Sequence, residues 1–153
     1  MPTPLIREAT LQDIPLLRQF EQGVITAERP FDSTLKEDPI EYYDIERLIS
    51  SPDSQLLVAE LEGKAVASGY ARIEVSKSYH RHTHHAYLGF MYTVPEHRGK
   101  GFNQLILQAL TDWSRGRGIT ELRLEVYQDN QPAIRSYEKA GFSKYMIEMR
   151  MGI

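Results

Sequence analysis

The 153-residue sequence contains no cysteine, which excludes disulfide bonds, thiolate metal sites and a cysteine nucleophile and fits a reducing compartment. Its formal net charge is -3, so the chain as a whole is not a cationic nucleic-acid binder. No stretch approaches the roughly 20 apolar residues of a membrane-spanning helix, and the first residues lack the apolar core of a signal peptide. These features favour a soluble, cytoplasmic protein with one domain covering residues 1–153.

Hydrophobic patterns divide the sequence into elements in the order β-α-α-β-β-β-α-β-α-β. The predicted strands cover 5–9, 55–61, 65–75, 86–94, 121–126 and, as one or two strands, 142–151. The predicted helices follow Thr10, lie around 42–49, cover 102–115 and follow Asn130. This order predicts an α/β or α+β fold whose front half is mostly antiparallel.

Local signals mark where two of these helices begin. Thr10, followed three residues later by Asp13, is a variant of the capping box. Pro15 is compatible with the first helix only if that helix begins close to it. Asn130 is a favourable N-cap, and Pro132 stands in the first turn that it would cap.

A loop with two glycines and two cations separates the strand that ends near Val94 from the next helix. Gly99 and Gly101 allow successive backbone N–H groups to turn toward one point, and the helix N-terminus adds a positive dipole there. Arg98 and Lys100 would add charge-assisted contacts to a phosphate. Alternatively, the glycines only make a tight strand-to-helix turn. The spacing matches neither a P-loop nor G-x-G-x-x-G.

In its wider context this loop resembles the signature of the GNAT N-acetyltransferase superfamily, Arg/Gln-x-x-Gly-x-Gly/Ala. Arg98 and Gly101 match that signature, and Asn103 stands where the family has Gly or Ala. Residues 130–142 are similar to the family's helix Asn-x-x-Ala-x-x-x-Tyr-x-x-x-Gly-Phe, one helix and one strand further on. The resemblance covers the whole chain in the order of its elements.

The resemblance implies a GNAT fold and an acyl donor. The fold would be a mixed, mostly antiparallel twisted sheet of six to seven strands flanked by about four helices. Acetyl-CoA would be the co-substrate, with no metal, and would lie in a V-shaped opening between the strand that ends near Val94 and the strand 121–126. The implied contacts are backbone groups of Met91, Tyr92, Thr93 and Val94 with the pantetheine arm, Arg98, Gly99, Lys100, Gly101, Phe102 and Asn103 with the pyrophosphate, and Asn130 and Tyr137 at the thioester end.

Acyl transfer to an amine needs a neutral nucleophile and a proton for the leaving thiolate. A lysine-like amine has a pKa of about 10.4, so near pH 7 only roughly one molecule in 2,500 is neutral. As in relatives, Tyr137 would be the general acid; alternatively, it is only the aromatic residue of a buried helical stripe. The candidates for the general base stay open: Glu28, Glu74, His84, His85 and Tyr87.

Five histidines include a run at residues 80–85, in which alternation on a strand would put His80, His82 and His84 on one face. No carboxylate falls inside the run, and a predicted hairpin tip is a common place for solvated polar residues. Three interpretations therefore stand: a metal site, a solvated turn, or a pH-sensitive edge of the substrate site.

The segment 28–47 carries seven carboxylates against three cations, a net charge of -4, and includes the aromatic residues Phe31, Tyr42 and Tyr43. In the resembled family this region borders the acceptor pocket, where a negative wall would attract cationic amines. An ordinary solvated surface is the alternative.

Together these features predict an N-acetyltransferase that moves acetyl from acetyl-CoA to a primary amine by direct attack in a ternary complex. The expected partner is a small-molecule or peptide amine, with no nucleic acid and no membrane, and homodimers are common among relatives. Two alternatives use the same fold: a CoA-binding regulatory domain without transfer, and an interaction module that ignores CoA.

Overall fold

One five-stranded sheet organises the computed structural model, which describes residues 2–153. Its strands lie in chain order: β1 (Leu5–Glu8), β2 (Ser54–Leu61), β3 (Lys64–Val75), β4 (His84–Thr93) and β5 (Leu122–Arg123). The first four strands are antiparallel to their neighbours, whereas β5 runs parallel to β4. The predicted antiparallel front half is thus confirmed.

Helices cover both faces of the sheet. They are α1 (Ile14–Glu28), α2 (Ile45–Ser50), α3 (Phe102–Gly116) and α4 (Gln131–Ala140). The α1 and α2 helices pack on one face around Val58, Tyr70 and Phe90, and α3 packs on the other around Ala71 and Leu88. The architecture is the mixed α/β fold that the sequence predicts. Within residues 2–153, no helix combines the length and hydrophobicity needed to cross a membrane.

The predicted helix starts are confirmed. Thr10 and Asp13 form a capping box at a short 3-10 turn that leads directly into α1, and Pro15 stands in the first turn of α1. The side chain of Asn130 accepts a hydrogen bond from the backbone N–H of Ala133 and so caps α4. Each signal depends on contacts within a few residues, which is why sequence alone reveals it.

The strand count is lower than the expected six to seven, because residues 142–151 form no strand. The alternation of apolar residues in this segment is typical of a strand, but a strand also needs a partner for its backbone. The last backbone hydrogen bond there is donated by Phe142 N–H to Tyr137 C=O, 3.0 Å. The predicted strand 121–126 is likewise reduced to the two residues that pair with β4.

Candidate active site

A wedge-shaped opening separates β4 from β5. The two strands pair only at Ala86 with Leu122 and at Tyr87 with Arg123, although β4 continues to Thr93. A register shift between β3 and β4 and a left-handed backbone at Phe90 (φ 56°) bend β4 at this point. The backbone edge of residues 91–94 therefore lies beyond the last β4–β5 pair, where the family resemblance implies a V-shaped opening.

The N-terminus of α3 lies immediately after the β4 end of this opening. Gly101 is its N-cap, with φ 88° and no capping side chain, and Gly99 has φ 76°. The first N–H groups of a helix have no partner inside it. A Cβ added at Gly99 or Gly101 would meet no atom within 4 Å, so the space in front of these residues is open. Backbone donors, helix dipole and open space together suit an anion.

The two cations of the loop contact its own residues. The Arg98 guanidinium lies over the Tyr92 ring, 5.7 Å from its centroid, and its Nε donates to Thr93 C=O, 3.0 Å. Lys100 Nζ lies 3.3 Å from Nδ1 of His97. Both side chains are thus held beside the open N-terminus of α3.

Asn103 connects α3 to α4. Its Nδ2 donates to the hydroxyl of Ser136, 2.8 Å, and Gln104 Nε2 donates to the backbone C=O of the same serine, 3.0 Å. This is the physical reason for an asparagine at a position where Gly or Ala is usual in the resembled signature. Its side chain makes an interhelical contact with α4.

Tyr137 projects from α4 into a buried environment. Burial, followed by the charge of Glu28, raises the pKa of its phenol to about 12. Its ring lies 5.9 Å from that of Phe142. The phenol is therefore protonated across the physiological range. Asn130, also expected at the thioester end, uses its side-chain oxygen to cap α4.

Three tyrosine–carboxylate pairs lie on the face of the sheet covered by α1 and α2. Tyr127 donates to Asp32, 2.8 Å, and Tyr87 donates to Glu125, 3.3 Å. The third pair is Tyr42 and Glu28, each of which shifts the pKa of the other. Burial is the main cause that raises the pKa of each tyrosine, to about 12 for Tyr42. The three phenols stay protonated, and those of Tyr127 and Tyr87 act as hydrogen-bond donors.

Glu28 is an acidic residue whose charge acts on Tyr137. Burial raises the pKa of its carboxyl group above the usual value, and the hydrogen bond with Tyr42 opposes that shift. Of the five base candidates it is the one whose charge also acts on Tyr137. The Asp32 carboxyl differs, because hydrogen bonds from Thr34 lower its pKa.

The other base candidates have local partners. Glu74 forms an ion pair with Arg72, 2.6 Å, and lies 3.7 Å from His85. His84 Nδ1 lies 3.0 Å from the Thr83 hydroxyl, and the Tyr87 hydroxyl donates to Glu125. The four residues lie on β3 and β4, and each of them already has a partner on these strands or next to them.

The histidine run covers the end of the turn before β4 and the first two residues of β4, so His80, His82 and His84 do not share one face of a strand. His82 Nδ1 and His85 Nδ1 each lie 2.8 Å from the hydroxyl of Ser76. Across residues 2–153, no group of three or more His, Cys, Asp or Glu side chains could hold a metal ion. Burial lowers the pKa of His85, which favours its neutral form.

Glu21 is a buried acidic residue, not noted in the sequence, that anchors part of the candidate site. Its carboxyl group is fully buried and accepts hydrogen bonds from the backbone N–H groups of Tyr42, 2.9 Å, and Tyr43, 2.8 Å. It therefore anchors the segment that carries two of the site's aromatic residues. A single glutamate within an amphipathic helix gives no sequence signal for this role.

Glu125 and Tyr127 were also missed. Leu122 and Leu124 face the α3 side of the sheet, so alternation directs residues 123, 125 and 127 toward the opposite face. That alternation was visible in the sequence, but the partners Tyr87 and Asp32 are distant along the chain.

A cavity of about 400 Å³ lies between α1 and the end of β4. It is lined by Gln22, Gly23, Thr26, Ala27, Tyr92, Pro95 and Arg98.

Comparison with known proteins identifies the family. The family model described as "Acetyltransferase (GNAT) family" matches residues 22–142, more than half of the chain. The chain belongs to the GNAT acetyltransferase family. The resemblance seen in the sequence is thereby confirmed, and the GNAT fold supplies the frame for the wedge and the α3 N-terminus.

Among curated relatives of this GNAT chain, streptothricin acetyltransferase from Streptomyces lavendulae is 42% identical over 50 residues, which cover 33% of this chain and 26% of that protein. The chain thus spans about a quarter of the length of that relative. Among solved structures, a variant of the BH1408 protein from Bacillus halodurans has a TM-score of 0.87 at 19% identity, covering 97% of this chain and 99% of that one. A predicted acetyltransferase from Clostridium acetobutylicum, solved with acetyl-CoA, has a TM-score of 0.75 at 20% identity, covering 98% and 96%. At these identities the two structures support the fold.

Proposed function

We propose that this GNAT-family chain transfers the acetyl group of acetyl-CoA to a primary amine by direct attack in a ternary complex. The observation that carries the proposal is the combination of an open, glycine-capped α3 N-terminus with a buried, protonated Tyr137 whose pKa responds to Glu28. Acetyl-CoA, the acyl donor of the family, supplies an activated thioester carbonyl. Residues of this chain must bind acetyl-CoA, take a proton from the amine and stabilise the leaving thiolate.

The residues of the wedge fit the donor. The free N–H groups from Gly99 to Asn103 suit its pyrophosphate, and no side chain fills the space in front of them. Arg98 and Lys100 stand beside that space and add positive charge. The edge of β4 beyond its last pair with β5 offers backbone groups near Met91 and Tyr92 for the amides of the pantetheine arm, in the manner of an added strand, whereas the Thr93 C=O already accepts from Arg98 and the Val94 N–H donates to Val66.

Tyr137 supplies a hydrogen bond to the sulfur as the carbon–sulfur bond breaks. With a phenol pKa of about 12 and a thiol pKa of about 8.5, complete proton transfer would be uphill by about 3.5 units, or roughly 5 kcal/mol. We therefore infer that Tyr137 stabilises the developing thiolate by donation and that solvent provides the final proton. This role needs the tyrosine to remain neutral, which burial ensures.

Glu28 takes the proton from the attacking amine, directly or through water. Burial raises the pKa of its carboxyl toward the range useful for a general base, and Tyr42 orients it. The amine nitrogen bonds to the acetyl carbon, its ammonium proton passes to the carboxylate, and CoA leaves with the electron pair of the broken bond. Positioned bases of this kind typically contribute about 10²–10⁴ in rate.

The acceptor that this face suits carries positive charge. Asp32 and Glu125 each accept from a tyrosine hydroxyl and Glu28 lies beside the neutral Tyr42, which leaves the negative charge of all three carboxylates in place. Among the cations near these groups, Arg72 and Arg123 are paired with Glu74 and Glu121, whereas the charge of Arg150 acts on Asp32. A primary amine with a second ammonium group would find complementary charge here.

The test is CoA release measured with a thiol-reactive dye, for which a chain without cysteine gives no background. The acceptors are matched pairs: 1,5-diaminopentane, pentylamine and 6-aminohexanoate share an amine and chain length but differ in the charge of the far end. We expect the diamine to have the highest kcat/KM and the amino acid the lowest. Acetyl-CoA binding without release for any amine would favour the regulatory alternative, and no binding would favour the interaction module.

The variant that tests the base is Glu28→Gln, with Glu37→Gln as its control because Glu37 is exposed in the same acidic segment. We expect Glu28→Gln to lower kcat by about 10²-fold or more and to remove the acid limb of the pH profile. Its stability near pH 7 is at least that of the parent, because a carboxyl whose folded pKa is raised loses stability as the pH rises from its unfolded to its folded pKa. The difference vanishes below the unfolded pKa. An unchanged acid limb would remove Glu28 from the mechanism.

A further inference from the structure

The bend in β4 holds a bulky residue in a backbone conformation that only glycine adopts freely. Phe90 has φ 56°, and its side chain is buried. A left-handed backbone is unfavourable for a residue with a Cβ, because that atom crowds the following carbonyl oxygen. Such strain persists only where surrounding contacts hold it, and it is concentrated at functional sites. The contacts around Phe90 therefore indicate what the bend serves.

The bend is a β-bulge with one extra residue in β4. Ser68 pairs with Tyr92 and Tyr70 pairs with Gly89, so Gly69 alone lies opposite two residues of β4. The extra residue shifts the rest of β4 by one position relative to β3. A shift of one position reverses the face on which each later side chain lies.

The side chains of β4 show this reversal. Ala86 and Leu88, before the bulge, face α3. After the bulge it is Met91 that faces α3, whereas Tyr92 faces α1 and α2. Strict alternation would keep all even-numbered residues on the α3 side. Without the bulge, Met91 and Tyr92 would therefore exchange faces.

The bulge also decides which backbone groups point into the wedge. Ala86 N–H donates to Glu121 C=O, 3.0 Å, next to β5, whereas Val94 N–H donates to Val66 C=O, 2.9 Å, in β3. Alternate residues of a strand direct their backbone groups to opposite edges, so two even-numbered residues reach opposite edges only across an inserted residue. By the same alternation, counted back from Val94, the N–H and C=O of Met91 point into the wedge.

Ser68 holds the bulge from β3. Its hydroxyl is buried, with the residue 1% exposed, and donates to Phe90 C=O, 2.9 Å. The Tyr43 ring stacks on the Phe90 ring, 4.3 Å between centroids. Gly69 leaves room for Met91, because a Cβ there would lie 2.5 Å from the Met91 sulfur. Among these three contacts, that of Ser68 acts directly on the strained backbone.

We propose that Ser68 is a positioning residue for donor binding: its hydrogen bond to Phe90 C=O keeps the bulge in place, and the bulge keeps the N–H and C=O of Met91 directed into the wedge. This inference rests on the proposed function, because it takes CoA as the molecule that the wedge binds. Ser68 is buried within the sheet and acts through Phe90, without contact to CoA.

Calorimetric titration with CoA tests the role of Ser68 in Ser68→Ala, with Ser114→Ala as the matched control. Ser114 is also 1% exposed, and its hydroxyl also donates to a backbone C=O, that of Leu110, 2.8 Å, but it lies near the C-terminal end of α3. We expect urea denaturation to show similar losses of stability for the two variants. Only Ser68→Ala should bind CoA more weakly, by about tenfold, which corresponds to the loss of one hydrogen bond.

The NMR signal of the Met91 amide gives a second readout that loss of stability alone would not change. Adding CoA should shift this signal in the parent and in Ser114→Ala, because the N–H gains an acceptor, but not in Ser68→Ala. Equal CoA affinity of Ser68→Ala and the parent would overturn the inference. So would equal losses of affinity in the two serine variants, or a Met91 signal that CoA leaves unmoved in the parent. These outcomes leave the proposed acetyl transfer in place, whereas a parent that binds no CoA overturns both.

Discussion

Glu21 links the fold to the acceptor face, and replacing it with alanine tests that link. Its fully buried carboxyl group accepts from the N–H groups of Tyr42 and Tyr43. In Glu21→Ala both donors lose their acceptor, and each unpaired buried donor costs about 1–3 kcal/mol. Arg18, whose Nη1 lies 3.9 Å from Glu21 and is itself buried without a hydrogen bond, also loses its nearest negative charge. We expect a loss of about 3–5 kcal/mol in the free energy of unfolding.

The measurement is urea denaturation together with thermal melting. A loss of this size lowers Tm by roughly 10 °C in a chain of this length. Because Glu21 holds the segment that carries Tyr42, and Tyr42 bonds to Glu28, we also expect a higher KM for the acceptor with little change in the affinity for acetyl-CoA.

Two variants separate the buried interaction from charge alone. Glu46→Ala removes a carboxylate that contacts the same Arg18, 2.9 Å away, but is half exposed, so its cost is about 0–1 kcal/mol. Glu21→Gln keeps an oxygen that can accept both N–H groups and costs less than Glu21→Ala. The reasoning is refuted if Glu21→Ala and Glu46→Ala lose the same stability, or if Glu21→Ala leaves the acceptor KM unchanged.

Three further variants address the donor side. Tyr137→Phe removes the hydroxyl that donates to sulfur, so kcat should fall by about 10²-fold with unchanged acetyl-CoA affinity; an equal kcat contradicts the assigned role. Gly101→Ala puts a side chain on a left-handed backbone (φ 88°) and into the open anion site. We expect weaker CoA binding in calorimetry and a loss of about 1–2 kcal/mol in the free energy of unfolding. Gly116→Ala, near the end of the same helix, should change neither quantity. Asn103→Ala loses the bond to Ser136 and about 1 kcal/mol of stability, with CoA affinity unchanged; weaker CoA binding would mean that Asn103 contacts the donor.

Much of the fold follows from signals that act over a few residues. The capping box at Thr10, the tolerated Pro15 and the cap at Asn130 each depend on a side chain and a backbone group no more than three residues away. The open N-terminus of α3 is also local, since Gly99 and Gly101 provide the positive φ angles that it requires. The structure accordingly confirms the element order as far as α4, and it confirms the strand-to-helix loop, but the strand predicted after α4 is absent.

The acceptor face could not be predicted in the same way. Tyr127 and its partner Asp32 are 95 residues apart, and Tyr87 and Glu125 are 38 residues apart, so only the three-dimensional pairing brings them together. Each carboxylate alone looks like a solvated surface residue. Residues 142–151 show the opposite failure, because their local pattern predicts a strand that the tertiary structure of the described residues leaves without a partner.

The division of charge across the wedge connects these results. On the donor side, positive potential comes from backbone N–H groups, the helix dipole and two cations. On the acceptor side, Asp32 and Glu125 accept hydrogen bonds from neutral tyrosines, which satisfy oxygens without cancelling the charge, and Glu28 lies beside neutral Tyr42. Glu28, Asp32 and Glu125 form no side-chain ion pair in the described residues, because Arg72 and Arg123 are paired with other carboxylates, so an ammonium group can add its charge without first breaking one. For this reason we expect that removing a tyrosine hydroxyl on this face weakens acceptor binding less than removing its carboxylate.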